Sequence, residues 1–396
     1  MAEKMAKIFL KPGKEQSLKR FHPWVFSGAI GKAEGKSEEG DMVNIYSSQG
    51  EFLATGHCQV GSIAVRILTF DEVETDYNFW KTKIEKAWNV RTALGLTENS
   101  ATNVFRLVHA EGDGMPGLIV DFYNGTAVMQ MHTVGIYLVR DLLTKALREV
   151  LGDKLKAVYD KSEKSLPFKA GVESVDSYLF GENNEAEVLE NGLRFKVDWL
   201  EGQKTGFFID QRENRQLVQH FSKNRDVLNM FCYTGGFSFY AMKGDARLVH
   251  SVDSSAKAIE LTNHNVALNF PGDTRHEAIT ADAFEYMREI KDKYDLIILD
   301  PPAFAKHRDA VHQALQAYKR INTRAFEQIR SGGILFTFSC SQVVSKEKFR
   351  EAVFSAAAIS GRNVRILHQL TQPADHPVNI YHPEGEYLKG LVLYVE

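Results

Sequence analysis

The sequence predicts an α/β protein whose C-terminal half folds as a parallel, doubly wound sheet with antiparallel last strands, preceded by a β-rich domain and a small α+β domain. Short β-like runs separated by glycine-rich turns fill the first 70 or so residues. From about residue 226 strand-like and helix-like segments alternate, the rhythm of a sheet covered on both faces. The chain closes on two strands whose connection is too short for a helical crossover, so they are expected to pair antiparallel.

The first domain, 1–74, is read from the runs 7–10, 24–26, 42–46 and 63–68. A polar stretch at 71–76 ends it, and over 79–94 apolar residues at helical spacing, Phe79, Ile84, Ala87 and Trp88, open a second domain spanning 75–185. Strands at 105–108 and 118–122 flank the turn-rich 111–117, followed by a strand at 126–132, a helix at 136–151 and a strand at 157–160. Asn191-Gly192, a type I′ turn pair, sits between alternating flanks and predicts a hairpin leading into the third domain, 186–396. Strands are expected there at 226–231, 248–253, 278–282, 294–300 and 334–340, with helices at 255–269, 283–291, 311–330 and 346–360. In the third helix Val311, Leu315, Tyr318, Ile321, Ala325 and Ile329 form one stripe, as a helix covering a sheet requires. Residues 365–370 and 387–395 supply the closing pair.

A length of 396 residues exceeds what one hydrophobic core sustains, and 44% hydrophobic with 25% charged residues is ordinary globular composition. There is no apolar run of 18 residues and no apolar segment behind the charged N-terminus, so no membrane partner and a cytoplasmic location are expected. Cys58, Cys232 and Cys340 are too few and too scattered for a disulfide framework, and no metal-ligand spacing occurs, so no metal is expected. A net charge of −3 does not announce a polyanion binder. Locally the balance differs: residues 1–36 hold eight Lys or Arg against three Glu, and 303–330 hold six against two acidic residues. Either excess is also what a solvated face shows.

Ligands of open α/β sheets bind beyond the carboxyl ends of the strands. Asn229-Met-Phe-Cys-Tyr-Thr-Gly-Gly-Phe-Ser238 ends the first strand of the sheet with paired glycines, and Asp253, Asp282 and Asp300 end the next three. A lone aspartate there is ordinarily a helix cap. Four such features in succession point instead to a nucleoside-containing cofactor. Thr234-Gly-Gly-Phe237 in place of Gly-x-Gly-x-x-Gly counts against a dinucleotide.

With Val252-Asp-Ser-Ser255, Ala281-Asp-Ala-Phe284 and Asp300-Pro-Pro-Ala-Phe304, the run 226–238 resembles the class I S-adenosylmethionine methyltransferases. More narrowly it is similar to the bacterial 23S ribosomal RNA cytosine-C5 methyltransferases that carry an N-terminal PUA domain. Lys19-Arg-Phe-His-Pro-Trp-Val-Phe26 looks like the opening of the PUA domain and Gly112-Asp-Gly-Met-Pro-Gly-Leu-Ile-Val120 like part of the central one. Lys204-Thr-Gly-Phe-Phe-Ile-Asp-Gln-Arg-Glu-Asn-Arg215 resembles the segment before the first cofactor strand. The resemblance implies a Rossmann-like methyltransferase sheet behind a PUA-like and a central α+β domain, S-adenosylmethionine as cofactor and 23S rRNA as substrate. It leaves a homodimer open. By the same resemblance Asp253 would hold the ribose hydroxyls and Asp282 with Ala283 the adenine. Tyr233, Thr234, Gly235, Gly236, Phe237 and Ser238 would surround the methionine portion, Phe231, Ser254 and Asp300 would also line the cofactor site, and Phe207, Asp210 and Arg212 would close the pocket from the preceding loop.

Cytosine C5 is a poor nucleophile, and its methylation calls for a thiolate adding at C6. Cys340, ending Ile334-Leu-Phe-Thr-Phe-Ser-Cys340, is the candidate. An isolated cysteine behind an apolar run is ordinarily an inert buried thiol, but its place at the end of the fifth strand, opposite Asp300, argues for function. Asp300 would hydrogen-bond the base. Phe304 would stack on a base or serve as a core aromatic, and RNA contacts are expected at Arg20, Lys306, Arg308 and Lys319. The second cysteine that many such enzymes carry beside the fourth-strand prolines is absent, since Asp300-Pro-Pro is followed by Ala303. Two other readings stand beside this one: methylation of a purine nitrogen, which needs no cysteine, and an RNA-binding or assembly protein without turnover.

Overall fold

A computed structural model describes residues 5–167, 171–183, 187–305 and 307–396 and divides the chain into two compact units. The first comprises Met1–Asn191, Val197–Ile209 and Ala374–Gly385, the second Gly192–Lys196, Asp210–Pro373 and Glu386–Glu396.

In the first unit a six-stranded sheet has the order Trp24–Phe26, Ile63–Thr69, Phe52–Cys58, Met42–Tyr46, Ala6–Leu10, Ile30–Glu34. Strict alternation in Ala6–Leu10 turns Ala6, Ile8 and Leu10 onto a core shared with Val43, Ile45, Val65 and Ile67. A second sheet runs Ser177–Phe180, Ala157–Asp160, Thr126–Met131, Leu118–Tyr123, Val104–His109. Helix Tyr77–Ala93 covers it, capped by Asp76, whose carboxylate accepts from the Phe79 amide at 3.0 Å. Its inward stripe of Trp80, Ile84 and Ala87 ends in Arg91, fully buried, which donates to Asp113 at 2.9 Å and to the Arg106 carbonyl at 2.7 Å. The single helix expected at 136–151 is two, Val134–Leu138 and Arg140–Leu151, broken at Val139, whose φ of −101° and ψ of 12° leave the helical region.

The second unit is a seven-stranded sheet in the order His276–Thr280, Leu248–Asp253, Asp226–Met230, Leu296–Leu299, Gly333–Ser339, Lys389–Val395, Val364–Leu370. The first five are parallel. Lys389–Val395 lies antiparallel between its two neighbours, as the short closing connection requires. Helix Val311–Gln328 buries Tyr318, Ile321, Ala325 and Phe326 against Leu299 and Leu335. Chain order reverses between Asp226–Met230 and Leu296–Leu299, which opens a crevice at their carboxyl ends. Three expectations are corrected here. The third strand ends at Thr280, so Asp282 lies beyond it; the helix after it stops at Tyr286; and Arg212 lies not in a loop but at the start of a helix, Arg212–Phe221. Among the described residues no helix is long and apolar enough to cross a membrane, and no group of three or more His, Cys, Asp or Glu is placed to hold a metal.

Burial holds His57, His132 and His276 at about 4, against 6.5 for an unfolded histidine. The unfolded chain binds these protons first as the solution is acidified, so stability is full above about 6.5 and is lost as pH falls toward 4. Each group contributes at most about 1.4 kcal/mol per pH unit. Thermal melts are expected to show a midpoint falling from pH 6.5 to 5, before most carboxylates titrate, with a smaller fall in His57→Phe.

Candidate active site

The loop leaving strand Asp226–Met230 is wound by three left-handed residues at alternate positions, Phe231 (φ 57°), Tyr233 (φ 48°) and Gly235 (φ 85°). Only the last is free of a Cβ penalty, so the surroundings must hold the other two. They do: the Cys232 amide, in the peptide after Phe231, donates to the Val252 carbonyl at 3.1 Å, the Tyr233 amide donates to Asp253 Oδ2 at 3.0 Å, the Tyr233 carbonyl accepts from Thr262 at 2.9 Å, and the Gly235 amide donates to the Cys232 carbonyl at 2.8 Å. A Cβ on Gly235 would stand 2.6 Å from Phe239 Cζ and 2.8 Å from Thr262 Cγ2. Glycine is therefore required for conformation and space alike. At Gly236 the nearest atom is Arg215 Cδ, at 3.2 Å. Helix Gly236–Lys243 starts here, with amides directed at the loop.

The Asp253 carboxylate accepts from Tyr233 on one oxygen and, at 2.9 Å, from the Ser255 amide on the other. Each oxygen keeps a second lone pair for a hydroxyl, and Ser254 beside it is exposed. Asp282 is exposed and caps helix Ala283–Tyr286 through the Phe284 and Glu285 amides, at 2.9 and 3.0 Å, and Ala283 is buried behind it. Phe237 stacks on Phe338 at 5.6 Å, and the Ser238 hydroxyl bonds Asn229 and Ser251 in the interior, so these two residues offer the loop their backbone.

Beside the loop, helix Arg212–Phe221 buries polar residues: Arg212, Asn214 and Arg215, preceded by buried Asp210 and Gln211. Gln211 Nε2 donates to Asp300 Oδ2 at 3.0 Å, Asn214 donates to Gln211 Oε1 at 2.6 Å, and the Tyr387 hydroxyl donates to Asp210 Oδ2 at 2.7 Å. Asp300 is thus held by a side-chain relay from this helix. Phe207, buried, belongs to the first unit, as does exposed Arg20.

Cys340 follows strand Gly333–Ser339, half-buried, with Sγ 4.0 Å from the Pro301 carbonyl of the loop that Asp300 begins. Its flanking serines are fixed: Ser339 and Ser341 bond the buried Tyr318 hydroxyl at 2.9 and 3.1 Å, and Ser341 Oγ accepts from the Ala305 amide at 3.3 Å. Phe304 packs on Tyr318 at 4.8 Å and is partly buried against the core. Arg308 is exposed on a short 3-10 turn and Lys319 half-buried on the following helix, whereas Lys306 lies outside the described residues. The other thiols are held protonated: burial, with Asp253 nearby, pushes Cys232 far up, and burial raises Cys58.

The S-adenosylmethionine-dependent methyltransferase family profile matches residues 106–379, and a PUA-like domain profile matches 8–70. Ribosomal RNA large subunit methyltransferase I of Aeromonas hydrophila is 39% identical over 98% of this chain and 99% of its own length. The enzyme of the same name from Alteromonas mediterranea is 38% identical over the same shares. This chain belongs to the S-adenosylmethionine-dependent methyltransferases, in the ribosomal RNA large subunit methyltransferase I family. The methyltransferase also shares its fold with the crystal structure of SMU.776, a candidate methyltransferase complexed with SAH, at a TM-score of 0.85 and 22% identity over 99% of this chain and 100% of that one. The Gly235 cradle, closed to any Cβ, and the half-engaged Asp253 carboxylate at the next strand end fit the methyltransferase's cofactor, S-adenosylmethionine. Sequence reasoning missed Gln211, Asn214 and Tyr387. A polar run too rich in amides for an ordinary solvent face, Asp210-Gln-Arg-Glu-Asn-Arg215, was the available signal.

Proposed function

We propose that the methyltransferase transfers a methyl group from S-adenosylmethionine to C5 of a cytosine in 23S rRNA, with Cys340 as nucleophile and Asp300 holding the base. The observation that carries this reading is the placement of the Cys340 sulfur 4.0 Å from the Pro301 carbonyl, against the loop led by Asp300, in the same unit as the Gly235 cradle. The Cys340 thiolate adds to C6 of the ring, and the displaced electron pair makes C5 nucleophilic. S-adenosylmethionine, when bound, supplies an electrophilic methyl group on its sulfonium. Loss of the C5 proton to a base and departure of the sulfur restore the aromatic ring. Asp300, its rotamer fixed by Gln211, accepts from the exocyclic amine or bonds N3.

Asp253 holds the ribose in this reading, Asp282 and Ala283 the adenine, and Tyr233, Thr234, Gly235, Gly236, Phe237 and Ser238 the methionine portion, with Phe231, Ser254, Asp210 and Arg212 also lining the cofactor site. Arg20, Lys306, Arg308 and Lys319 meet RNA phosphates and Phe304 a base. Residues 1–74 form the PUA-like RNA-binding domain, 75–185 a central domain and 186–396 the catalytic one, in a cytoplasmic enzyme. The relatives named for ribosomal RNA support the substrate class. Nucleoside mass analysis of 23S rRNA incubated with the protein and cofactor is expected to show 5-methylcytidine. A methylated purine instead, or no product, rejects the proposal.

A further inference from the structure

The strand Lys389–Val395 reads Lys-Gly-Leu-Val-Leu-Tyr-Val and is buried almost throughout, between two other strands. A lysine at its first position, itself 6% exposed, is costly there unless its ammonium is satisfied. It pairs in register with Ser339, one residue before Cys340, and its side chain reaches past the strand end. Nζ donates to the Ser341 carbonyl at 2.6 Å and the Val344 carbonyl at 2.7 Å, so the turn that carries the chain away from Cys340 is folded around one buried cation. Apolar packing would hold two strands together at less cost. What it would not supply is a buried positive charge on the turn that begins at Ser341, next in the chain to Cys340.

The geometry points to Lys389 as the positioning residue for Cys340, its ammonium clamping the 341–344 turn and favouring the thiolate form of the adjacent sulfur. This rests on the reading of Cys340 as the nucleophile and adds how that thiol is kept reactive. Reciprocity supports it. Burial lowers Lys389 to about 8, and the negative charge of Cys340 acts in the opposite sense, holding the lysine proton on. Attraction between the two charges acts on both groups, so an ammonium clamped on the turn after Cys340 favours the ionised thiol. The other charges acting on Lys389 are Lys346 and Glu386, and these two form an ion pair at 2.6 Å that largely cancels at a distance. The Tyr318 hydroxyl, bonded to Ser339 and Ser341, is pushed up by burial and stays neutral.

The test is the pH dependence of Cys340 alkylation by iodoacetamide in the full chain, followed by mass spectrometry of the peptide so that Cys58 and Cys232 do not interfere. In Lys389→Met the alkylation midpoint is expected to rise by about one pH unit, which is a roughly tenfold slower reaction near neutrality. Lys389→Arg, which keeps the charge, is expected to titrate with the parent. A purely structural lysine would lower the thermal midpoint of Lys389→Met and leave the alkylation midpoint where it was, and that result overturns the inference. Where Lys389→Met does not fold, the reciprocal variant decides: in Cys340→Ser, competitive acetylation of Lys389 by acetic anhydride is expected to titrate lower than in the parent, and an unchanged midpoint overturns the inference. Neither readout uses RNA or a methyl donor. A shifted midpoint in a protein that makes no 5-methylcytidine rejects the cytosine reading and leaves the lysine and thiol coupled; 5-methylcytidine with an unshifted midpoint rejects the coupling alone.

Discussion

Cys340→Ala is expected to lower 5-methylcytidine formation by on the order of 10⁴-fold or more while leaving S-adenosylmethionine affinity within about twofold. The size follows from the chemistry. Without covalent addition at C6 the ring offers no carbanion-like C5, and neither of the other thiols can replace the lost one. Cys232 is buried beside the Asp253 carboxylate, which opposes its ionisation, and Cys58 is raised by burial and donates to the Glu38 carbonyl at 2.7 Å. Because Cys340 is only half-buried and bordered by serines already fixed through Tyr318, truncation should cost about 1 kcal/mol of stability or less. Single-turnover assays with product nucleosides quantified by mass, beside calorimetric titration with the cofactor, check both halves. Retained transfer to the base in Cys340→Ala would move the chemistry to a ring or amino nitrogen.

Gly235→Ala is expected to weaken S-adenosylmethionine binding about 100-fold, with Gly236→Ala as a near-neutral comparison. A left-handed φ of 85° costs a residue bearing a Cβ roughly 1–2 kcal/mol, and overpacking adds about 1–3 kcal/mol. The atoms a Cβ would meet belong to Phe239 and Thr262, both fully buried, so the loop and not its neighbours must move. A displacement that cost about 3 kcal/mol in the bound state converts to about two decades of affinity. At Gly236 no left-handed φ is required, and the nearest atom, Arg215 Cδ at 3.2 Å, need give by only a few tenths of an ångström. Calorimetry on the three proteins reads the difference, and equal affinities for the two alanine variants would show that the cradle is not where the cofactor sits.

The parallel sheet was legible because Leu296–Leu299 and most of Gly333–Ser339 are apolar runs, because glycine or aspartate follows or ends several of its strands, and because Val311–Gln328 and Lys346–Ser360 carry clear helical stripes. The same logic explains the failures. Helix Arg212–Phe221 buries Arg212, Asn214 and Arg215, so its inward face has no apolar period to find. Strand Ile30–Glu34 is exposed beyond its first residue, and Phe52–Cys58 is built largely from small residues, so neither shows the alternation that marks a half-buried strand. Asp282 reads as a strand end in the sequence because Ala278, Ile279 and Ala281 precede it, yet it caps the next helix, Oδ1 accepting from two of its amides. At the candidate site the strand-end residues were visible as types. Their supports were not, since Gln211 and Lys389 reach Asp300 and the turn after Cys340 across 89 and 48 residues of chain, and no local pattern encodes contacts of that range.

The most direct measurement uses 23S rRNA transcribed with 5-fluorocytidine. A fluorine at C5 cannot leave as a proton does, so after methyl transfer the sulfur cannot be expelled and the adduct persists. Digestion and mass spectrometry are then expected to find the nucleotide bonded to Cys340, only when S-adenosylmethionine is present. Release of methylated RNA with no trapped protein, or an adduct on Cys58 or Cys232, would contradict a nucleophilic role for Cys340.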